Sequence, residues 1–106
     1  MNESNTMKQL LFSIGLARKA GKIVVGTDFV RDEIRKNKIM TVLFASDISD
    51  NTRKKITDCC AYYHTAVYPC GLTKDELGHA IGKPFAACIG ITDENLSLLI
   101  NRNLIN

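Results

Sequence analysis

Apolar residues recur at helical spacing near the start of the chain. Met7, Leu10, Leu11, Ile14 and Ala17 share one face, Thr6 stands as N-cap and Gly21 as the stop. Ile23-Val24-Val25 is short and β-branched, which predicts a strand. Gly26-Thr27 supplies a tight turn and a cap for a second helix, with Val30, Ile34 and Asn37 inward and an end near Asn37. Thr41 to Ala45 is apolar on both faces, the pattern of a strand covered by helices on each side. Ser49 or Asp50 then caps a third helix, with Thr52, Ile56, Cys59, Cys60 and Tyr63 inward and Arg53, Lys54, Lys55 and Asp58 toward water. A strand at Ala66 to Tyr68 closes at Pro69. Thr73-Lys74-Asp75-Glu76 has the form of a capping box, opening a helix with Leu77, Ala80 and Ile81 inward before Gly82. Ala86 to Ile91 reads as the last strand, and Thr92 as the cap of a final helix carrying Leu96, Leu99 and Ile100 inside.

Alternation of helices and strands lays apolar helix faces onto a central sheet. The expected fold class is α/β: a single-domain, three-layer α/β/α sandwich with a four-stranded central sheet and about five helices. A chain of 106 residues suits one domain, expected over residues 7–102, with a frayed start at 1–6 and a tail at 103–106. No apolar run approaches the ~20 residues of a membrane span, and the polar first residues lack a secretory pattern, so no membrane partner and a cytoplasmic location are expected. Fourteen Lys plus Arg against eleven Asp plus Glu leave a net charge of +3, which permits an anionic partner without requiring one. The four cysteines, Cys59, Cys60, Cys70 and Cys88, have neither metal-ligand nor framework spacing and read as small core residues.

Apparatus for chemistry is sparse. Gly21 and Gly26 form no phosphate loop, and neither His64 nor His79 sits in a catalytic motif. Cys60 and His64 lie one helical turn apart, but two ligands are too few for a metal site, so no metal and no cofactor are expected. Cys70 precedes a helix start, where amide dipoles can lower a thiol pKa, but no base accompanies it. The charge distribution says more. Arg18, Lys19 and Lys22 cluster around Gly21, and the helix opening at Gly26-Thr27 has free amide groups able to hold a phosphate. Phe29 lies on that helix's flank, where it either covers the sheet edge or stacks on an unpaired base. Arg31, Arg35 and Lys36 read either as an RNA-facing set or as a solvated face supported by an Asp32–Lys36 pair.

The chain resembles the kink-turn RNA-binding ribosomal proteins, a family of archaeal and eukaryotic large-subunit proteins and small bacterial relatives. The resemblance rests on Gly26-Thr27 opening a helix, on Leu43-Phe44-Ala45-Ser46-Asp47 ending a buried strand, and on Leu77-Gly78-His79-Ala80-Ile81-Gly82 before a small-residue strand. It runs from about Met7 to about Asn101. Leu16-Ala17-Arg18-Lys19-Ala20-Gly21-Lys22, and Ser46-Asp47 followed by Asn51-Thr52-Arg53-Lys54-Lys55-Ile56, look like the bacterial members in particular.

The resemblance implies a non-enzymatic protein that binds structured RNA, ribosomal or other; a monomer is expected, with the ribosome among its partners. The implied site is the start of the second helix, the Ser46-Asp47 loop and the loop Lys83, Pro84, Phe85 and Ala86, whose apolar side chains press on a flipped-out base. The residues expected to carry binding are Lys19, Lys22, Gly26, Thr27, Asp28, Phe29, Arg31, Ser46, Asp47, Lys83, Pro84, Phe85 and Ala86. Kink-turn binders continue Gly-Thr with Asn-Glu and place a Lys three residues beyond; here Asp28, Phe29 and Asp32 stand there. Two alternatives remain open: a protein-interaction module on the same scaffold, and a thiol enzyme using Cys70.

Overall fold

The computed structural model describes residues 3–105, with side chains placed for residues 7–104. Met1, Asn2 and Asn106, parts of the expected frayed start and tail, lie outside the described residues. Along the described residues run α1 (Glu3–Lys19), β1 (Ile23–Val25), α2 (Thr27–Arg35), β2 (Thr41–Phe44), α3 (Asp50–Tyr63), β3 (Ala66–Pro69), α4 (Lys74–Ala80), β4 (Cys88–Ile91) and α5 (Glu94–Ile105). The strands form one sheet in the order β1-β4-β2-β3. β2 and β3 are parallel, while β4 runs antiparallel to both β1 and β2. The ends of β1, β2 and β3 and the beginning of β4 therefore share one rim of the sheet.

Period-two alternation distributes the strand side chains between two helical layers. Val24, Val42, Val67 and Cys88 join Val30, Ile34, Ile56 and Cys60 under α2 and α3. Leu43, Ile89 and Ile91 join Leu10, Ile14, Ala17, Leu77 and Ile100 under α1, α4 and α5. The sandwich is thus α2/α3, sheet, α1/α4/α5, which gives the three layers that the alternation of elements predicted. Fully burying an aliphatic side chain contributes about 1.5–3 kcal/mol, so these two clusters hold the layers together. On the α5 side, the Thr41 and Ser97 hydroxyls bond each other, and Asn101 Nδ2 donates to Thr41 Oγ1 at 3.3 Å.

Helix ends differ from expectation where another bond wins. α1 begins at Glu3, ahead of Thr6, because no Gly or Pro interrupts the preceding residues. Asn37 is exposed and left-handed (φ 59°), outside α2 and not inward, a conformation Asn tolerates. Thr92 donates its N–H to Lys22 O at 3.0 Å and so stays at the sheet margin, leaving Asp93 Oδ2 to cap α5 by accepting from Leu96 N–H at 2.9 Å. Asp32 pairs with Arg35 at 3.1 Å, one turn back, in place of Lys36. Ser49 caps α3, and the Thr73–Glu76 capping box of α4 is complete.

Candidate functional site

Because β4 lies between β1 and β2, the loop leading into it sits between the start of α2 and the Ser46-Asp47 loop. Backbone bonds stitch the three together. Gly26 N–H donates to Cys88 O at 3.1 Å and Ala45 N–H to Ala87 O at 2.9 Å, while Ser46 N–H donates at 2.8 Å to Leu72 O in the connection between β3 and α4.

Gly26, not Thr27, is the N-cap of α2, and its φ of 100° with ψ of 145° belongs to a region open only to glycine at low cost. Its carbonyl accepts the first helical bond from Val30 N–H at 2.9 Å, and no side chain caps the helix. The N–H groups of Thr27, Asp28 and Phe29 consequently have no intrahelical acceptor. Thr27 is half-buried, with the Cys88 thiol 4.0 Å from its hydroxyl, so that hydroxyl turns toward the sheet and away from the cap position. Val30 and Ile34 take the face toward the sheet, which leaves Phe29 71% exposed and excludes the covering role considered for it. Asp28 is exposed beside it.

The opposing loop owes its shape to Gly78 and Gly82. A Cβ on Gly78 would fall 2.5 Å from Phe85 Cα and 2.7 Å from its N, so only glycine lets the loop backbone lie against α4. Lys83 N–H donates to Gly78 O at 2.9 Å and Ala86 N–H to Lys74 O at 3.0 Å, which fixes both ends of that contact. The Phe85 backbone is pressed onto the helix while its ring stands 65% exposed. Lys83 and Pro84 are exposed as well. Ala86 is not: it is 2% exposed and part of the α1/α4/α5 core, because its N–H is drawn inward by Lys74. Its side chain is therefore withdrawn from the expected binding set. Gly82 is left-handed (φ 73°), and a Cβ there would meet the Arg18 guanidinium at 2.5 Å. Arg18 thereby reaches the rim beside Lys83, around a hollow of about 270 Å³ that also includes Ile23 and Val25.

Other expected residues have different neighbours. Asp47 Oδ1 accepts from Lys74 N–H at 2.8 Å, tying the β2 loop to the start of α4; Ser46 is exposed next to it. Lys19 and Lys22 are exposed, but Lys22 pairs with Thr92 at the far end of β1, about 13 Å along the strand from Gly26. They flank the rim and are not part of it. Arg31 faces α3 across the α2/α3 surface, with Arg35 and Lys55. Sequence reasoning grouped Arg18 only with its basic neighbours and gave Gly78 no role. A glycine inside a short helix, seven residues ahead of Phe85, was the available signal for that close approach.

Three of the four cysteines, Cys60, Cys70 and Cys88, are buried. Burial pushes the Cys60 thiol up to about 12, the Cys88 thiol up to about 11, and the Cys70 thiol above its ordinary value. This is the reverse of what the Cys70 enzyme reading requires. Cys60 is fully buried whereas His64 is exposed in a left-handed turn after α3, so the two do not converge. Among the described residues no three potential metal ligands cluster, and no helix is long and apolar enough to cross a membrane.

Known proteins share this chain's sequence pattern and fold. The chain is 39% identical over 84 residues to the RNA-binding protein YlxQ of Bacillus subtilis (strain 168), covering 79% of this chain and 83% of that one. It is 36% identical over 97 residues to the protein of the same name from Enterococcus faecium, covering 92% and 91%. Among solved structures, a Bacillus halodurans C protein of unknown function superposes with a TM-score of 0.88 at 28% identity, over 92% of this chain and 98% of that one. A Giardia lamblia 15.5kD RNA binding protein shares the fold, with a TM-score of 0.75 at 16% identity, over 98% and 88%. The YlxQ proteins are non-enzymatic, and this chain is not an enzyme. Residues 8–100 match the model of the ribosomal protein L7Ae/L30e/S12e/Gadd45 family, and the chain belongs to that family.

Proposed function

We propose that the protein binds a structured RNA at this rim, without chemistry, and recognises a kink-turn-like or related element that presents an unpaired base. One observation carries the reading: the uncapped start of α2, with three free amides, shares a sheet rim with two exposed aromatic rings, Phe29 and Phe85. Amides at a helix N-terminus hold phosphate oxygens, and aromatic faces accept unstacked bases. Arg18 and Lys83 supply cationic contacts on the β4 side of the rim. The names of the two bacterial relatives, both RNA-binding proteins, support the same reading.

The departures from the kink-turn signature select among RNAs. Asp32 is turned to solvent and engaged by Arg35, so it stays clear of the rim. Asp28, exposed at the first turn, repels a close phosphate but accepts from a guanine N1 or N2 donor. Phe29 exchanges a polar contact for a stacking surface. The favoured ligand is thus a bent element with an accessible guanine edge and a flipped base, ribosomal or other, bound by a monomer in the cytoplasm.

Binding to a standard kink-turn, a mutated kink-turn and a duplex of equal length tests this reading. Preference for either irregular RNA, weakening as salt rises with a log–log slope of about −2 to −4, supports it. Equal affinity for the duplex, or a flat salt response, refutes it. Protein instead of nucleic acid carried through purification before nuclease treatment would favour the interaction-module alternative.

A further inference from the structure

The outer surface of the α2/α3 layer bears a second basic feature, separate from the rim. A groove of about 450 Å³ runs between the two helices, with Arg31 and Arg35 on one wall and Lys55, Asp58, Tyr62 and Tyr63 on the other. Both helices leave the rim in the same direction, since α2 follows β1 and α3 follows the β2 loop. The groove therefore opens near the site described above and extends along α3 to Tyr62, about 18 Å from Asp50 at 1.5 Å per residue.

Its charge is positive. Asp58, the acid of its lining, is occupied by Lys54 at 2.8 Å. Arg35 shares Asp32 at 3.1 Å on an exposed surface, a pairing that solvent screens. Neither Arg31 nor Lys55 has an ion-pair partner among the described residues. Arg31 Nε is buried without a hydrogen-bond partner, so part of this guanidinium has lost water and gained nothing in exchange. A nearby anion offsets that cost. At the far end Tyr62 is 77% exposed and braced edge-on by Tyr63, with ring centroids 4.9 Å apart. A large aromatic ring left in water but held by a neighbour is a stacking platform, and cations interleaved with such a ring are the pattern of a single-strand track.

We propose that the α2/α3 groove takes a single-stranded RNA segment flanking the element bound at the rim, its phosphates along Arg31, Arg35 and Lys55 and one base stacked on Tyr62. This inference rests on the RNA-binding reading above and extends it to the RNA outside the primary element. Lys55 and Tyr62 are exposed, so their removal leaves the fold intact, which a melting curve of the Lys55→Ala/Tyr62→Ala variant checks.

Three probes separate this inference from the one it rests on: a kink-turn hairpin, the same hairpin with a single-stranded tail of about ten nucleotides on either end, and the tail alone. A tail should strengthen hairpin binding by about tenfold, and the double variant should lose that gain while binding the bare hairpin as before. The tail alone should bind weakly, and more weakly to the variant, whether or not the hairpin binds; a silent hairpin then counts against the rim reading only. A tail that adds nothing on either end, or a variant that loses the bare hairpin equally, overturns the groove. A polyglutamate peptide that perturbs Tyr62 fluorescence where the tail does not would overturn it in favour of a protein partner.

Discussion

Replacing Gly78 by Ala probes the contact that shapes the β4 loop. The added methyl would sit 2.5, 2.7 and 2.8 Å from Cα, N and C of Phe85, all backbone atoms. Ordinary contact begins near 3.4 Å, so the loop must retreat by about 0.9 Å. The bonds from Lys83 to Gly78 and from Ala86 to Lys74 hold the loop on both sides of that point, which leaves it little room to yield. Overpacking of this kind costs about 1–3 kcal/mol, whereas alanine gains about 1 kcal/mol over glycine inside a helix. The loss should win by about 1 kcal/mol, lowering the melting temperature by roughly 4–8 °C in a domain of this size. Because the same shift displaces Phe85, affinity for an RNA with an unpaired base should fall more than affinity for duplex. Thermal melting by circular dichroism together with binding to both RNAs provides the assay. An unchanged or raised melting temperature with unaltered binding would show that the loop is not held against α4, and the reasoning would fail.

Gly26→Ala meets open space, its nearest neighbour being Phe29 Cδ2 at 3.9 Å, so any loss comes from the φ of 100° alone; a destabilisation of about 1–3 kcal/mol is expected, and a melting temperature equal to that of the parent would refute it. Phe85→Ala should leave stability unchanged and cost about 1–3 kcal/mol in binding only where a base is unpaired, as a fluorescence titration would report. Lys83→Ala should reduce the magnitude of the salt slope by about 1, while Lys22→Ala at the far end of β1 should alter it less. Burial holds the Cys60 and Cys88 thiols protonated up to about 12 and about 11, whereas the unfolded chain releases those protons near 9.0. Their contribution is complete below the unfolded value and lost as pH rises toward the folded ones, so the urea midpoint should be lower at about pH 10 than at about pH 8, and less so in Cys88→Ala.

Elements were legible wherever a local signal specified them. Helical spacing placed α1 and α3, the Thr73–Glu76 box placed α4, and the two-sided apolar run of β2 implied the three layers. Sheet order was not legible, because the insertion of an antiparallel β4 between β1 and β2 is a long-range pairing that no local pattern encodes. That order decides the site. It brings Phe85 and Arg18 to the rim and leaves Lys22 at the opposite end of β1, although Lys22 is nearer to Gly26 in sequence. Phe29 was ambiguous for a related reason: a flank position packs or stays free according to what lies beside it, and Val30 and Ile34 already fill the sheet face. Ala86, read both as the start of the last strand and as the end of the binding loop, precedes β4 and is core, because a single bond to Lys74 turns it inward. The α2/α3 groove required knowing that Arg31 and Lys55, on different helices, share one surface.

The central claim is that RNA docks on the rim where β1, β2 and β4 meet their loops, and backbone amide shifts during titration with a kink-turn RNA test it most directly. The largest changes should fall on Thr27, Asp28 and Phe29 and on Lys83 to Ala87, with α5 and the part of α1 ahead of Arg18 silent. Changes concentrated on α5 and the part of α1 ahead of Arg18, with the Gly26 and Lys83 loops unmoved, would contradict the account.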